Sequence, residues 1–214
     1  MACAAGPLVA CLVLYGAAAG PSPDADSARL QPGLFLYAAP GVADPRFAES
    51  VVLLVRHGQD GSMGLVVNRP TEMALHEALD EVEEARGSSL PVYWGGPVQP
   101  EAILALVRAP GASAGAQAVL PEVQLTGDLA DVRAALKGDK AAERLRVYTG
   151  YAGWGAGQLA AEVRAGVWVL DKADAASVFA PNPSKLWPRV QHILKRLEVR
   201  LERVRSRFPR SARA

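Results

Sequence analysis

The sequence predicts a mixed α/β (α+β) fold: largely antiparallel β-sheets flanked by helices, in a single compact domain. Three observations lead there. Short runs rich in Val and Leu recur between clusters of Gly, Pro and Asp, the pattern of buried strands joined by tight turns. The clearest is Ser50 to Arg56 (SVVLLVR), then Gly58-Gln59-Asp60-Gly61-Ser62, then the return run Met63 to Asn68 (MGLVVN). Helical patterns fall between the strands without the strict alternation of a doubly wound parallel sheet. Finally, 214 residues, 50% hydrophobic and 21% charged, suit one sizeable core.

Taken in order, Gly33 to Ala39 reads as a buried strand ended by Pro40-Gly41, and Asp44-Pro45-Arg46-Phe47 as a turn. After the hairpin, Thr71 is placed to cap a helix through Leu75, Leu79 and Val82 to Arg86, with Gly87 as its stop. Pro91 to Trp94 is a short strand entering Gly95-Gly96-Pro97. Ala102 to Arg108 is read as a strand because Pro100 and Pro110 bracket it too closely for a helix. Gly111 to Ala118 is loop by composition, and Val119 to Leu125 a strand. Asp128 caps a helix through Leu129, Val132 and Leu136, closed by Gly138. Arg144 to Tyr148 is a strand leading into a glycine-rich bend, and Gln158 to Arg164 a helix. Val167 to Leu170 is a strand and Ala173 to Val178 a helical turn. From Trp187 a last helix carries Val190, Leu194, Leu197, Leu201, Val204 and Phe208 at alternating spacings of four and three, a continuous apolar stripe.

The ends differ from the middle. Met1 to Gly20 holds no charged side chain; its apolar run and following small residues resemble a secretory signal with a plausible cleavage after Ala19, although no Lys or Arg precedes the run. Residues 1–29 are therefore expected to be leader and linker, 30–193 the folded domain, and 194–214 a basic amphipathic helix or tail. From Arg189 to Arg213 nine Lys or Arg stand against Glu198 and Glu202, so nucleic-acid contact is a candidate role for the tail although the whole chain carries only +1. Cys3 and Cys11 both lie in the leader, leaving the domain no disulfide or thiolate site, and His57, His76 and His192 lack metal-ligand spacing. No metal or other cofactor is expected.

Two motifs suggest chemistry. Leu54-Val55-Arg56-His57-Gly58-Gln59 resembles the histidine phosphatase signature, in which a histidine takes a phosphoryl group and an arginine clamps its oxygens. The position where that family has Asn is here Met63, and a second catalytic histidine is not evident. Gly153-Trp154-Gly155-Ala156-Gly157 imitates a dinucleotide-binding loop, but its third glycine is one place early and Trp154 stands between the first two.

Several blocks occur in one order: Gly33-Leu34-Phe35-Leu36, Asp44-Pro45-Arg46-Phe47, Gly61 to Pro70 (GSMGLVVNRP), Gly95-Gly96-Pro97-Val98, Gly150 to Leu159 (GYAGWGAGQL), and Trp168 with Val178-Phe179. Together, over roughly Leu30 to Ile193, they resemble the AlgH (AlgH/YqgE) family of bacterial proteins. The resemblance implies a compact α/β fold, a link to transcriptional regulation, a cytoplasmic location and no catalytic residues to carry over; the leader implies export instead. The expected role is a non-enzymatic binding or regulatory domain with a protein partner. Its surface would be built from Asn68, Arg69, Gly95, Gly96, Tyr151, Trp154 and Gln158. The alternative is a small-molecule or phosphate-ester enzyme using Arg56-His57 and the glycine-rich loop.

Overall fold

The computed structural model describes residues 29–199 apart from 110, 112, 139, 197 and 198. The leader before residue 29 and the stripe positions Leu197, Leu201, Val204 and Phe208 lie outside the described residues.

Among the described residues ten strands form one continuous sheet: β1 (Leu34–Ala38), β2 (Val51–Gly58), β3 (Gly61–Val66), β4 (Pro70–Ala74), β5 (Pro91–Trp94), β6 (Val98–Arg108), β7 (Gln117–Leu120), β8 (Val123–Thr126), β9 (Leu145–Trp154) and β10 (Trp168–Lys172). Their order is β10-β1-β2-β3-β9-β6-β8-β7, with β5 also joined to β9 and β4 to β5. All these pairs are antiparallel except β5–β9. The helices are α1 (Leu75–Ala78), α2 (Leu129–Leu136), α3 (Ala141–Arg144), α4 (Gln158–Arg164), α5 (Ala175–Val178) and a last one that starts at residue 189. The mixed, largely antiparallel fold read from the sequence is thus present.

Strand alternation sorts the side chains into layers. Phe35, Tyr37, Val51, Leu53, Val55, Leu65 and Val67 point inward with Leu106 and Tyr148. Phe179, Leu186, Val190 and Ile193 from the C-terminal end of the domain cover them. The opposite faces of β1, β2 and β3 (Leu36, Val52, Leu54, Val66) pack with Trp154 and Trp168 under Leu159 and Ala160 of α4. On the other half of the sheet, Val92, Ala105, Val107 and Val147 pack under Leu75, Leu79, Val132 and Ala135. Gln117 Nε2 donates to the Val55 carbonyl at 2.5 Å, tying β7 back to β2, so the sheet curls around the first core.

Three sequence expectations change. The helix expected from Thr71 begins only at Leu75. Residues 70–74 are instead drawn into a strand, with Thr71 Oγ donating to Val92 O at 2.7 Å and Leu75 N to Leu90 O at 2.8 Å. Only α1 and a single 3-10 turn (Glu83–Ala85) of the expected helix form, yet Leu75, Leu79, Val82 and Ala85 are all buried. The strand expected over residues 119–125 is a hairpin, because Pro121 cannot donate to a ladder and sits in its turn. The third change concerns the glycine-rich bend: β9 runs through Gly150 and Gly153 to Trp154, and the chain turns only at residues 155–157. Of the apolar stripe on the last helix, Val190 is buried in the core and Leu194 half-buried against it; Ile193, outside the stripe, is buried as well.

Candidate functional site

Strand β9 is the member shared by both halves of the sheet. Its first half pairs with β5 (Val92↔Val147, Trp94↔Thr149) and β6; its last residues pair with β3 (Met63↔Gly153, Ser62↔Trp154). At the changeover Gly150 takes φ +66°, a left-handed conformation that favours glycine. Gly95 and Gly96 cross it there, backbone against backbone. A Cβ on Gly95 would overlap the Gly150 carbonyl, and one on Gly96 the Tyr151 main chain. Gly95 N donates to Thr149 O at 2.9 Å and its own carbonyl accepts from Val66 N at 2.9 Å, so β3, β5 and β9 are stitched at one point. The glycines expected to line a binding surface therefore make this crossing.

Asn68 is buried just past β3: its Oδ1 accepts from Val51 N at 2.8 Å and its Nδ2 donates to Glu49 O at 2.9 Å. Arg69 donates to the Arg46 carbonyl at 2.5 Å and to the Ala48 carbonyl, with its guanidinium 5.3 Å from the centre of the Trp94 ring. From there an aromatic chain runs through Phe47 (6.1 Å from Trp94) to Trp168 (5.7 Å) and Trp154 (5.9 Å further). It ends on Glu162, which the sequence did not single out. Glu162 Oε2 accepts from Trp154 Nε1 at 2.9 Å and Trp168 Nε1 at 2.8 Å, and its Oε1 accepts from Gln158 Nε2 at 2.9 Å. Gln158 Oε1 in turn accepts from Gly155 N at 3.0 Å, closing the turn into α4. The available signal was spacing: Glu162 lies one helical turn after Gln158 in a helix that follows one tryptophan and precedes the other.

Tyr151 and Trp154 also line an open groove of about 440 Å³ at the tip of the β2–β3 hairpin. Arg56, His57, Gly58, Asp60, Gly61, Ser62, Met63, Val98 and Gly153 complete it; Asn68, Arg69, Gly95, Gly96 and Gln158 do not reach it. A register shift in β2 between Leu54 and Arg56 sets Arg56 opposite Met63, in line with Gly153 on β9. His57 and Ser62 face each other on the hairpin, His57 Nδ1 lying 2.7 Å from Ser62 Oγ. Of the other histidines, His76 Nδ1 meets Ser88 O at 2.9 Å at the end of α1, and His192 lines a separate cleft beside Tyr37 and Asp171. The second histidine of phosphohistidine chemistry is thus absent from the groove. Among the described residues no group of three or more His, Cys, Asp or Glu side chains could hold a metal ion.

The AlgH-like family model matches residues 35–201. A UPF0301 protein of Streptomyces coelicolor is 35% identical over 161 residues, covering 74% of this chain and 83% of that protein. One from Myxococcus xanthus is 40% identical over 167 residues, covering 74% and 87%. The solution structure of the AlgH protein from Pseudomonas aeruginosa aligns with TM-score 0.59 and 30% identity over 85% of this chain and 95% of that one. A Corynebacterium diphtheriae crystal structure aligns with TM-score 0.63 and 26% identity over 74% and 84%. With the motif blocks arranged around one glycine crossing and matches of this extent, the chain belongs to the AlgH-like family.

Proposed function

We propose that this protein is a non-enzymatic binding domain with a regulatory role, and that it engages its partner through the groove at the β2–β3 hairpin. One observation supports this reading above the others. Asn68, Arg69, Trp154 and Gln158 are engaged in internal hydrogen bonds, whereas the groove leaves Arg56 and the Tyr151 ring exposed or half-buried at its wall. Aromatic and arginine side chains around a recess are the usual anchors of recognition. The test is a pull-down from the native host with the full chain. Gly153→Leu, which fills the groove at an exposed position, should lose a partner that the wild type and a distant Lys137→Ala control both retain. Identical captures by all three would overturn the reading. The family resemblance favours the cytoplasm for this encounter; N-terminal sequencing that finds chain cleaved after Ala19 would move it outside.

A second reading, a small-molecule or phosphate-ester enzyme, draws on the 2.7 Å His57–Ser62 contact in the same groove as Arg56. A histidine touching a hydroxyl is the start of a nucleophile–base pair, but the third member that would orient the base is missing: no described carboxylate bonds to the histidine's other nitrogen. Turnover of 4-nitrophenyl phosphate or acetate that disappears in His57→Asn would establish it, and no turnover by the wild type would dispose of it.

A further inference from the structure

We infer that the groove's ligand is a small organic acid, its carboxylate or phosphate paired with Arg56 and its apolar part laid between Tyr151 and Val98; this rests on reading the groove as a binding surface. The cation comes first. Arg46, Arg69, Arg108, Arg133, Arg144, Arg146, Arg189 and Arg196 each have an acidic, hydroxyl or carbonyl partner within the chain, whereas Arg56, like Arg29 and Arg86, has none among the described residues, and of these three only Arg56 lines the groove. It is an exposed guanidinium at the wall of a built recess, and its planar fork matches a carboxylate or phosphate.

The second element is the slot. Gly153 is exposed, and a Cβ there would only touch Tyr151 Cε2 and Val98 Cγ2, at 3.4 Å each. The missing side chain therefore leaves open the gap between an aromatic ring and an aliphatic side chain. Met63, partly buried beneath, adds an apolar floor. An inorganic ion would use the cation and leave this surface idle; a flat or branched apolar group would use both.

The third element is His57. Ser62 Oγ holds its Nδ1, and no described residue engages Nε2. Whenever the Ser62 hydroxyl donates, the proton of the neutral ring sits on Nε2 and provides a further donor. Against these stands Asp60, the one acidic side chain of the lining, at the hairpin tip. It opposes an anion and favours a single compact charge next to Arg56.

Phenylphosphonate is a suitable probe because it joins an anionic head to a ring and has no ester bond to cleave. Titrated into the full ¹⁵N-labelled chain, it should shift the amides of Gly58, Gly61 and Gly153. It should bind at least about fivefold more tightly than inorganic phosphate, with benzyl alcohol silent at the same concentration. Arg56→Gln should weaken it about tenfold or more, the worth of one charge-assisted pair, while Asp60→Asn tightens it. Equal binding of inorganic phosphate, or shifts undiminished in Arg56→Gln, would overturn the assignment. If phenylphosphonate fails but Gly153→Leu still loses the captured partner, the groove remains a binding surface and only the ligand class is wrong. If neither variant has any effect, both readings fall.

Discussion

Arg146 is a buried cation on β9 with no carboxylate partner among the described residues. Its guanidinium donates to four carbonyls: Ala142 (2.5 Å), Leu145 (3.0 Å), Phe179 (3.0 Å) and Ala180 (3.1 Å). Ala142 lies within α3 and Leu145 caps it, while the last two follow α5, so the charge sits where the C-terminal ends of two short helices converge, and there the free carbonyls carry partial negative charge. The Tyr93 and Phe179 rings, 5.5 and 5.7 Å from its Cζ, complete the surroundings. Arg146→Ala should cost about 3 kcal/mol in urea unfolding, since it strands buried carbonyls as well as opening a void. Tyr148, two residues on, is the opposite case. Its hydroxyl is fully buried and has no partner among the described residues. Tyr148→Phe should therefore be neutral or stabilising by up to about 1 kcal/mol at neutral pH.

At the scale of elements, the structure depends on one crossing and one bracket. The crossing is Gly95-Gly96 over Gly150, where any side chain meets main chain rather than a flexible neighbour. Gly96→Ala should prevent soluble folding or cost more than about 3 kcal/mol, while Gly58→Ala, with nothing within 4 Å of its Cβ, should stay within about 0.5 kcal/mol of wild type; parallel urea melts separate the two. Gly64 is intermediate, since its Cβ would lie 2.5 Å from Val52 Cγ1 and 3.3 Å from Trp154 Cζ3. The bracket is Glu162, which holds α4 to β9 and β10 through two indole N–H groups. Glu162→Gln keeps an acceptor but loses the charge-assisted bonds. It should lower stability by about 1–2 kcal/mol and alter tryptophan emission, whereas an unchanged spectrum and melt would mean the bracket is idle.

At the scale of the whole molecule, the shifted groups define the pH window of stability. Burial raises Tyr37, Tyr93 and, most strongly, Tyr148 above the usual tyrosine value near 10. The folded state thus keeps phenol protons that the unfolded chain gives up. Their contribution is fully present below about pH 10 and is lost as pH rises beyond it. On the acid side, the hydrogen bond from the Arg46 side chain lowers Asp44, which contributes above the usual carboxylate range and loses that contribution as pH falls through its folded value. Chemical denaturation at stepped pH should show a stability that declines above about pH 10, less steeply in Tyr148→Phe. A flat alkaline limb would contradict it. Among the described residues no helix is long and apolar enough to cross a membrane. The basic tail is a further proposal for this scale: salt-sensitive nucleic-acid binding that vanishes on truncation before Lys195, with unchanged binding as the contrary result.

Local pattern alone determined much of this protein. The Val51–Gly58 and Gly61–Val66 hairpin, the Asp128 cap, α4 and the family blocks were all legible, because alternation, turn residues and caps act over a few neighbouring positions. What surrounds the glycine block only the tertiary structure decided. Gly150 and Gly153 read as a bend, yet both lie within a strand, because the pairing of β9 with β5 and β6 before Gly150 and with β3 after it carries the strand through that left-handed residue. Thr71 read as a helix cap, and its hydroxyl bonds instead to Val92, 21 residues on. Of the expected surface residues, Tyr151 and Trp154 reach the groove. Arg56, His57 and Ser62 join them: the His57–Ser62 pair comes with the hairpin, but the register shift before Arg56 and the approach of β9 are encoded by no local spacing.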